Sequence, residues 1–125
     1  MRKNISISGA PKPLGPYSQA VMVKGMCFIS GQVAIDPHTD VFVGDTATEQ
    51  AKQVMENIKA LLFETGMDFS NVVKTSIFLI NMNDFDAVNS VYESYFNDSF
   101  PARETVQASR LPKNALIEIS AIAVE

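Results

Sequence analysis

The stretch Asn71-Val72-Val73-Lys74-Thr75-Ser76-Ile77-Phe78-Leu79-Ile80 decides the fold. It has the length and the β-branched, aromatic character of one strand, and Val72, Val73, Ile77, Phe78, Leu79 and Ile80 supply apolar side chains to both faces of a period-two pleat. Neither face suits water, so this strand belongs inside a sheet covered on both sides.

The end of the chain repeats the pattern. Within Leu116 to Val124, Ile117, Ile119, Ala121 and Ala123 point one way while Leu116, Ile122 and Val124 point the other. Between these strands the spacing becomes helical. From Thr46 to Thr65, Ala51, Val54, Met55, Ile58, Leu61 and Leu62 share one face, with Thr46-x-x-Glu49 as a capping box and Gly66 as the stop. A second helix is predicted from Asn83 to Phe96, with Phe85, Val88, Tyr92 and Tyr95 on its stripe.

Nearer the start, Val21-Met22-Val23 and Met26-Cys27-Phe28-Ile29 read as an antiparallel pair turned at Lys24-Gly25. After Pro101 a strand is expected from Glu104 to Ser109, joined to the last strand across Leu111-Pro112-Lys113-Asn114. The order of strands, helix, strand, helix, strands implies an α+β fold: a mixed sheet with both helices on one face and right-handed crossovers. Two helices cover only one face. The other would expose more than the few hundred Å2 of contiguous apolar surface that monomers tolerate, so identical subunits are expected to pack there in a ring.

With 125 residues, 46% hydrophobic and 19% charged, the chain reads as one globular domain over 1–125. Its one cysteine, Cys27, allows no internal disulfide, which suits a reducing compartment and points to the cytoplasm. Met1 to Ser8 carries basic residues with no apolar run behind them, so no export signal is expected. No apolar stretch approaches the ~20 residues that cross a bilayer. The net charge is −4 with ten Lys and Arg spread along the chain, which argues against nucleic acid as a partner.

Counting narrows the chemistry. One histidine, His38, and one cysteine cannot form a zinc cluster, and nothing beside His38 suggests a nucleophilic triad. No Gly-rich phosphate loop appears, so neither metal nor nucleotide cofactor is expected. Five places remain. Arg103 follows Phe100-Pro101-Ala102 at the mouth of a strand, where a planar five-donor guanidinium can hold a carboxylate through two parallel hydrogen bonds; an ion pair is its other use. Glu118 sits among apolar neighbours, where a carboxyl group must be paired, hydrogen-bonded, protonated or open to a cavity. It reads as a proton carrier or as half of a salt bridge, with Arg103 as one possible partner. Asn89 shares a helix side with Phe85 and Tyr92 and needs partners for its amide. Ser30-Gly31 ends a strand with a residue that admits a ligand or marks a β-bulge, and Tyr17 lies in the turn Gly15-Pro16-Tyr17-Ser18.

Taken together, Gly15-Pro16-Tyr17-Ser18-Gln19-Ala20, Phe28-Ile29-Ser30-Gly31-Gln32, Asn83-Asp84-Phe85, Val88-Asn89, Phe100-Pro101-Ala102-Arg103, Arg110-Leu111-Pro112-Lys113 and Ile117-Glu118-Ile119 resemble the Rid family of enamine/imine deaminases in order and spacing. The resemblance spans essentially the whole chain. It implies a chorismate-mutase-like α+β homotrimer with sites between subunits, needing no cofactor. It also implies hydrolysis of 2-aminoacrylate, 2-iminopropanoate or 2-iminobutanoate to 2-keto acids and ammonia. In this reading Arg103 anchors the carboxylate, Glu118 positions or activates water, and Tyr17, Ser30, Gly31 and Asn89 line the cleft. Thr105 stands in the substrate site where deaminating members often carry cysteine. A metabolite-binding regulator is the alternative, and an endoribonuclease a more distant one.

Overall fold

A computed structural model describes residues 1–125. In chain order its elements are β1 (Lys3–Ile5), β2 (Ala20–Val23), β3 (Met26–Gln32), α1 (Ala47–Glu64), β4 (Val72–Leu79), α2 (Phe85–Glu93), β5 (Ala102–Gln107) and β6 (Ile117–Val124), with short 3-10 turns at Phe69–Asn71, Met82–Asp84 and Pro112–Asn114. One six-stranded sheet runs β1-β2-β3-β6-β4-β5. It is mixed: β4 and β5 are parallel, and every other neighbouring pair is antiparallel. The α+β expectation holds.

The hairpin forms because Lys24 and Gly25 both take positive φ, 49° and 75°, and this backbone twist matches the strands flanking a two-residue loop. Helix α1 starts where Thr46 accepts a hydrogen bond from the Glu49 amide at 3.2 Å. The Glu49 carboxylate reaches back to the Asp45 amide, one residue beyond the expected partner. The helix stops at Gly66, φ 78°, with Gly66 N–H donating to Phe63 and Met67 N–H to Leu62, both at 3.0 Å.

Both helices lie on one face of the sheet. Val54, Met55, Ile58, Leu61 and Leu62 of α1 and Val88 and Tyr92 of α2 join Ile77, Leu79, Ile117, Ile119 and Ala121 in one buried cluster. Each large side chain so buried contributes about 1.5–3 kcal/mol. Two buried amides fix α1 in register: Asn57 donates to the carbonyls of Val33 and Ile35, and Gln50 accepts from Leu116 N–H at 2.9 Å. These bonds hold the chain that leaves β3 and the chain that enters β6.

The opposite face carries no helix. Phe28 and Val106 are 39% and 42% exposed there, and Phe78, Ile122 and Val124 are half-buried. Residues on β6 alternate strictly, with Ile117, Ile119, Ala121 and Ala123 buried and their neighbours partly open.

The fold departs from the sequence reading in several places. Strand β1 leaves no signal in the sequence, because a three-residue segment pairs only once Ala20–Val23 offers an edge. The second helix closes at Glu93, short of Phe96, and its first turn is 3-10. Strand β5 begins at Ala102, so Arg103 lies within it, opposite Thr75. The two last strands are not neighbours, since β6 enters between β3 and β4 and leaves β5 at the edge. No helix is long and apolar enough to cross a membrane.

Candidate functional site

Arg103 stands opposite Thr75 in the β4–β5 register and therefore on the helix-covered face. Its guanidinium carbon sits over two rings, 5.0 Å from the Tyr92 centroid and 5.5 Å from that of Phe85. Tyr92 is buried and its hydroxyl shares a 2.7 Å hydrogen bond with Thr75 Oγ1. Burial raises the Tyr92 phenol, against opposing effects of the Thr75 hydrogen bond and the Arg103 charge. No carboxylate pairs with Arg103: the single ion pair of the chain joins Lys74 to Glu104 at 3.0 Å on the other face. Asn89, Tyr92, Glu93, Phe100, Pro101 and Arg103 line an open cavity of about 350 Å3.

Thr105 lies two residues along the same face of β5, opposite Ile77. Its Oγ1 is the one buried side-chain polar atom without a hydrogen-bond partner. Such an orphan costs about 1–3 kcal/mol.

Glu118 stands opposite Phe78 and so points to the helix-free face. It is half-buried with no ion-pair partner, and desolvation pushes its carboxyl above the usual range. The β3–β6 register breaks between Ile29 and Gln32, so Ser30-Gly31 forms a β-bulge that brings backbone against this carboxyl group. A Cβ on Gly31 would run into the Glu118 carboxyl group, which would have to move aside to admit it.

The Ser30 hydroxyl is committed to Ser18 O at 2.6 Å, and its amide donates to Gln19 O. Gln19 in turn binds Ile7, Ala10 and Pro11 through its side chain, which secures the loop carrying Tyr17. Tyr17 is 48% exposed, and its hydroxyl accepts from Leu14 N–H at 3.0 Å. Tyr17, Ser30, Gly31 and Glu118 line a second cavity of about 350 Å3 with Leu14, Val33 and Pro112. Pro112, at the cavity rim, opens a turn in which Lys113 and Asn114 both take φ 58°, in the left-handed region.

The candidate residues thus fall into two groups. Tyr17, Ser30, Gly31 and Glu118 share one cavity; Asn89 and Arg103 share another, with Thr105 beside it on the strand. The sheet separates them, so Arg103 and Glu118 do not meet within one chain and form no salt bridge with each other. Phe85 and Tyr92 belong to the Arg103 site although their helical spacing reads simply as core. Glu93 and Leu14 carry no sequence signal that sets them apart, whereas Phe100 and Pro112 fall within the motifs Phe100-Pro101-Ala102-Arg103 and Arg110-Leu111-Pro112-Lys113. No three His, Cys, Asp or Glu side chains stand close enough to hold a metal ion.

Residues 7–125 match the family model described as Endoribonuclease L-PSP. The mouse 2-iminobutanoate/2-iminopropanoate deaminase is 47% identical over 125 residues, covering all of this chain and 93% of its own. The crystal structure of YyfA from Yersinia pestis, a protein of the conserved Rid family, superposes with a TM-score of 0.96 at 42% identity over all of both chains. Escherichia coli TdcF with bound serine gives a TM-score of 0.93 at 37% identity over 98% of each chain.

Proposed function

Because this chain belongs to the Rid family, the family of the Endoribonuclease L-PSP model, we propose that it hydrolyses the C=N bond of short 2-imino acids in crevices between identical subunits. The observation that carries this reading is a guanidinium held over two rings with no carboxylate partner. A site of this kind suits a small anionic ligand. Glu118, isolated in its own cavity with a raised pKa, supplies the complementary proton-transfer group.

Since the two groups lie on opposite faces of one sheet, a second copy must bring its Glu118 face against the Arg103 edge of the first. The apolar helix-free face supports such packing, and a closed ring of three chains with three crevices is the assembly proposed. In the crevice, Arg103 binds the substrate carboxylate and Asn89 and Thr105 line its side. Tyr17, Ser30 and Gly31 of the neighbouring copy close the other. Glu118 takes a proton from water as the oxygen bonds to the imine carbon and the C=N π electrons move to nitrogen, and it then passes that proton to the nitrogen. In the resulting carbinolamine the hydroxyl proton moves through Glu118 to the nitrogen as the C=O bond forms and the C–N bond breaks, which releases ammonia and leaves the 2-keto acid. Position and modest proton transfer suffice for an imine that already reacts with water.

A ligand-sensing role without turnover is the second reading, favoured by the serine bound to E. coli TdcF. The endoribonuclease name of the family model sits poorly with a net charge of −4 and dispersed basic residues. The test couples a threonine dehydratase to this protein and follows ammonia release in competition with semicarbazide. Wild-type protein should accelerate hydrolysis, and Arg103→Ala should abolish the acceleration with the oligomer intact. Unchanged rates in Arg103→Ala reject the assignment, and saturable binding of 2-oxobutanoate without turnover selects the second reading.

A further inference from the structure

An arginine reserved for an incoming anion faces a physical difficulty. Left free, its long side chain loses rotamer entropy on binding; tied to a resident carboxylate, its donors are already occupied. Here β5 separates the two problems. Successive residues on the strand point to opposite faces, so Glu104 turns to Lys74 and Ser76 while Arg103 turns away from them, towards α2. On that side the guanidinium meets the Phe85 and Tyr92 rings at 5.5 and 5.0 Å, within the ~6 Å range over which a ring quadrupole attracts a cation. This attraction uses none of the five N–H donors.

We infer that Phe85 and Tyr92 are positioning residues: their rings fix the Arg103 guanidinium while leaving its donors open to a carboxylate. The inference rests on the carboxylate-binding role proposed for Arg103. The rings are themselves anchored. Tyr92 is 4% exposed, bonded to Thr75 at 2.7 Å and packed 4.8 Å from Phe96, whereas Phe85 is half-buried at the start of α2. Glu93 lines the same cavity without pairing to Arg103. Loss of a ring therefore frees the guanidinium to wander and to engage Glu93 in competition with the ligand.

The test measures 2-oxobutanoate affinity by calorimetry and the Arg103 Nε–H resonance by NMR in Phe85→Leu, Tyr92→Leu and Tyr92→Phe. Each leucine variant should weaken binding between about threefold and thirtyfold, the range of a cation–π contact. It should also raise KM with kcat changed less than twofold, because the lost interaction serves ground and transition states alike. The Arg103 resonance should move away from its ring-shifted position. Tyr92→Phe keeps the ring but breaks the Thr75 bond, so it should bind within twofold of wild type even though it melts at a lower temperature. Half-buried Phe85 keeps the test open if Tyr92→Leu does not fold. Leucine variants that bind within twofold of wild type overturn the role of the rings, as does a Tyr92→Phe variant as weak as Tyr92→Leu. Wild-type protein that fails to bind 2-oxobutanoate overturns the carboxylate role of Arg103, and this inference with it.

Discussion

Replacing Gly31 by alanine is the sharpest perturbation of the proposed reaction. Gly31 does not occupy the positive-φ region, so alanine meets no backbone penalty there, and Gly→Ala stabilises by about 0.4–1 kcal/mol through the unfolded chain. The obstacle is local. The new Cβ would stand 2.4 Å from Glu118 Oε2 and 2.7 Å from its Cδ, whereas ordinary contact begins at 3.4 Å. Because the carboxyl group ends a flexible side chain, it retreats by about 1 Å and the fold survives. A displacement of that size in a reacting group costs about 10²-fold in rate. Arg103 sits on the other face of the sheet and is untouched. In the dehydratase-coupled assay Gly31→Ala should therefore lose about 100-fold in kcat, with KM changed by less than about threefold and a melting temperature within about 3 °C of wild type. A folded Gly31→Ala protein turning over at the wild-type rate would refute the role given to Glu118, as would a loss confined to KM.

Other perturbations test the remaining parts. Burial raises the Glu118 carboxyl, so the native chain binds this proton more tightly than the unfolded one; stability from this group is full below its ordinary value of 4.5 and is lost as pH rises through the raised one. Glu118→Gln should hence melt higher than wild type at pH 7, with the difference fading below about pH 4 and activity lost throughout; equal melting temperatures at pH 7 contradict this. Phe28→Asp puts a charge on the helix-free face, where it should leave the helical circular dichroism unchanged while sedimentation shows monomers and imine hydrolysis disappears. An intact, active oligomer would mean that subunits pack elsewhere. Thr105→Val removes the orphaned hydroxyl and should raise the stability of the ligand-free protein by about 1 kcal/mol in urea unfolding while weakening 2-oxobutanoate binding. A loss of stability would indicate that the hydroxyl is already paired within the assembly.

Local chemistry was sufficient wherever it set the structure. The amide-capping Thr46, the Gly66 stop and the two-residue Lys24-Gly25 turn are decided by neighbours a few residues apart, so α1 and the β2–β3 hairpin are legible from the chain alone. The alternation in Leu116 to Val124 likewise sorts the side chains of β6 into two sets, and the structure buries the set of Ile117, Ile119, Ala121 and Ala123. The resemblance to the Rid family, read from short motifs, agrees with the family match over residues 7–125.

Pairing across the sheet was not legible, because hydrogen bonds between distant strands leave no mark on either strand's own periodicity. Sequence allowed Arg103 and Glu118 to be partners; the registers that set Arg103 against Thr75 and Glu118 against Phe78 put them on opposite faces instead. The same insertion of β6 beside β4 leaves β5 at an edge, where Arg103 reaches the rings of α2. The residue types for binding and proton transfer were thus written in the chain, whereas their separation into two half-sites was decided only by strand order, since a side chain's face is set by the strand it pairs with.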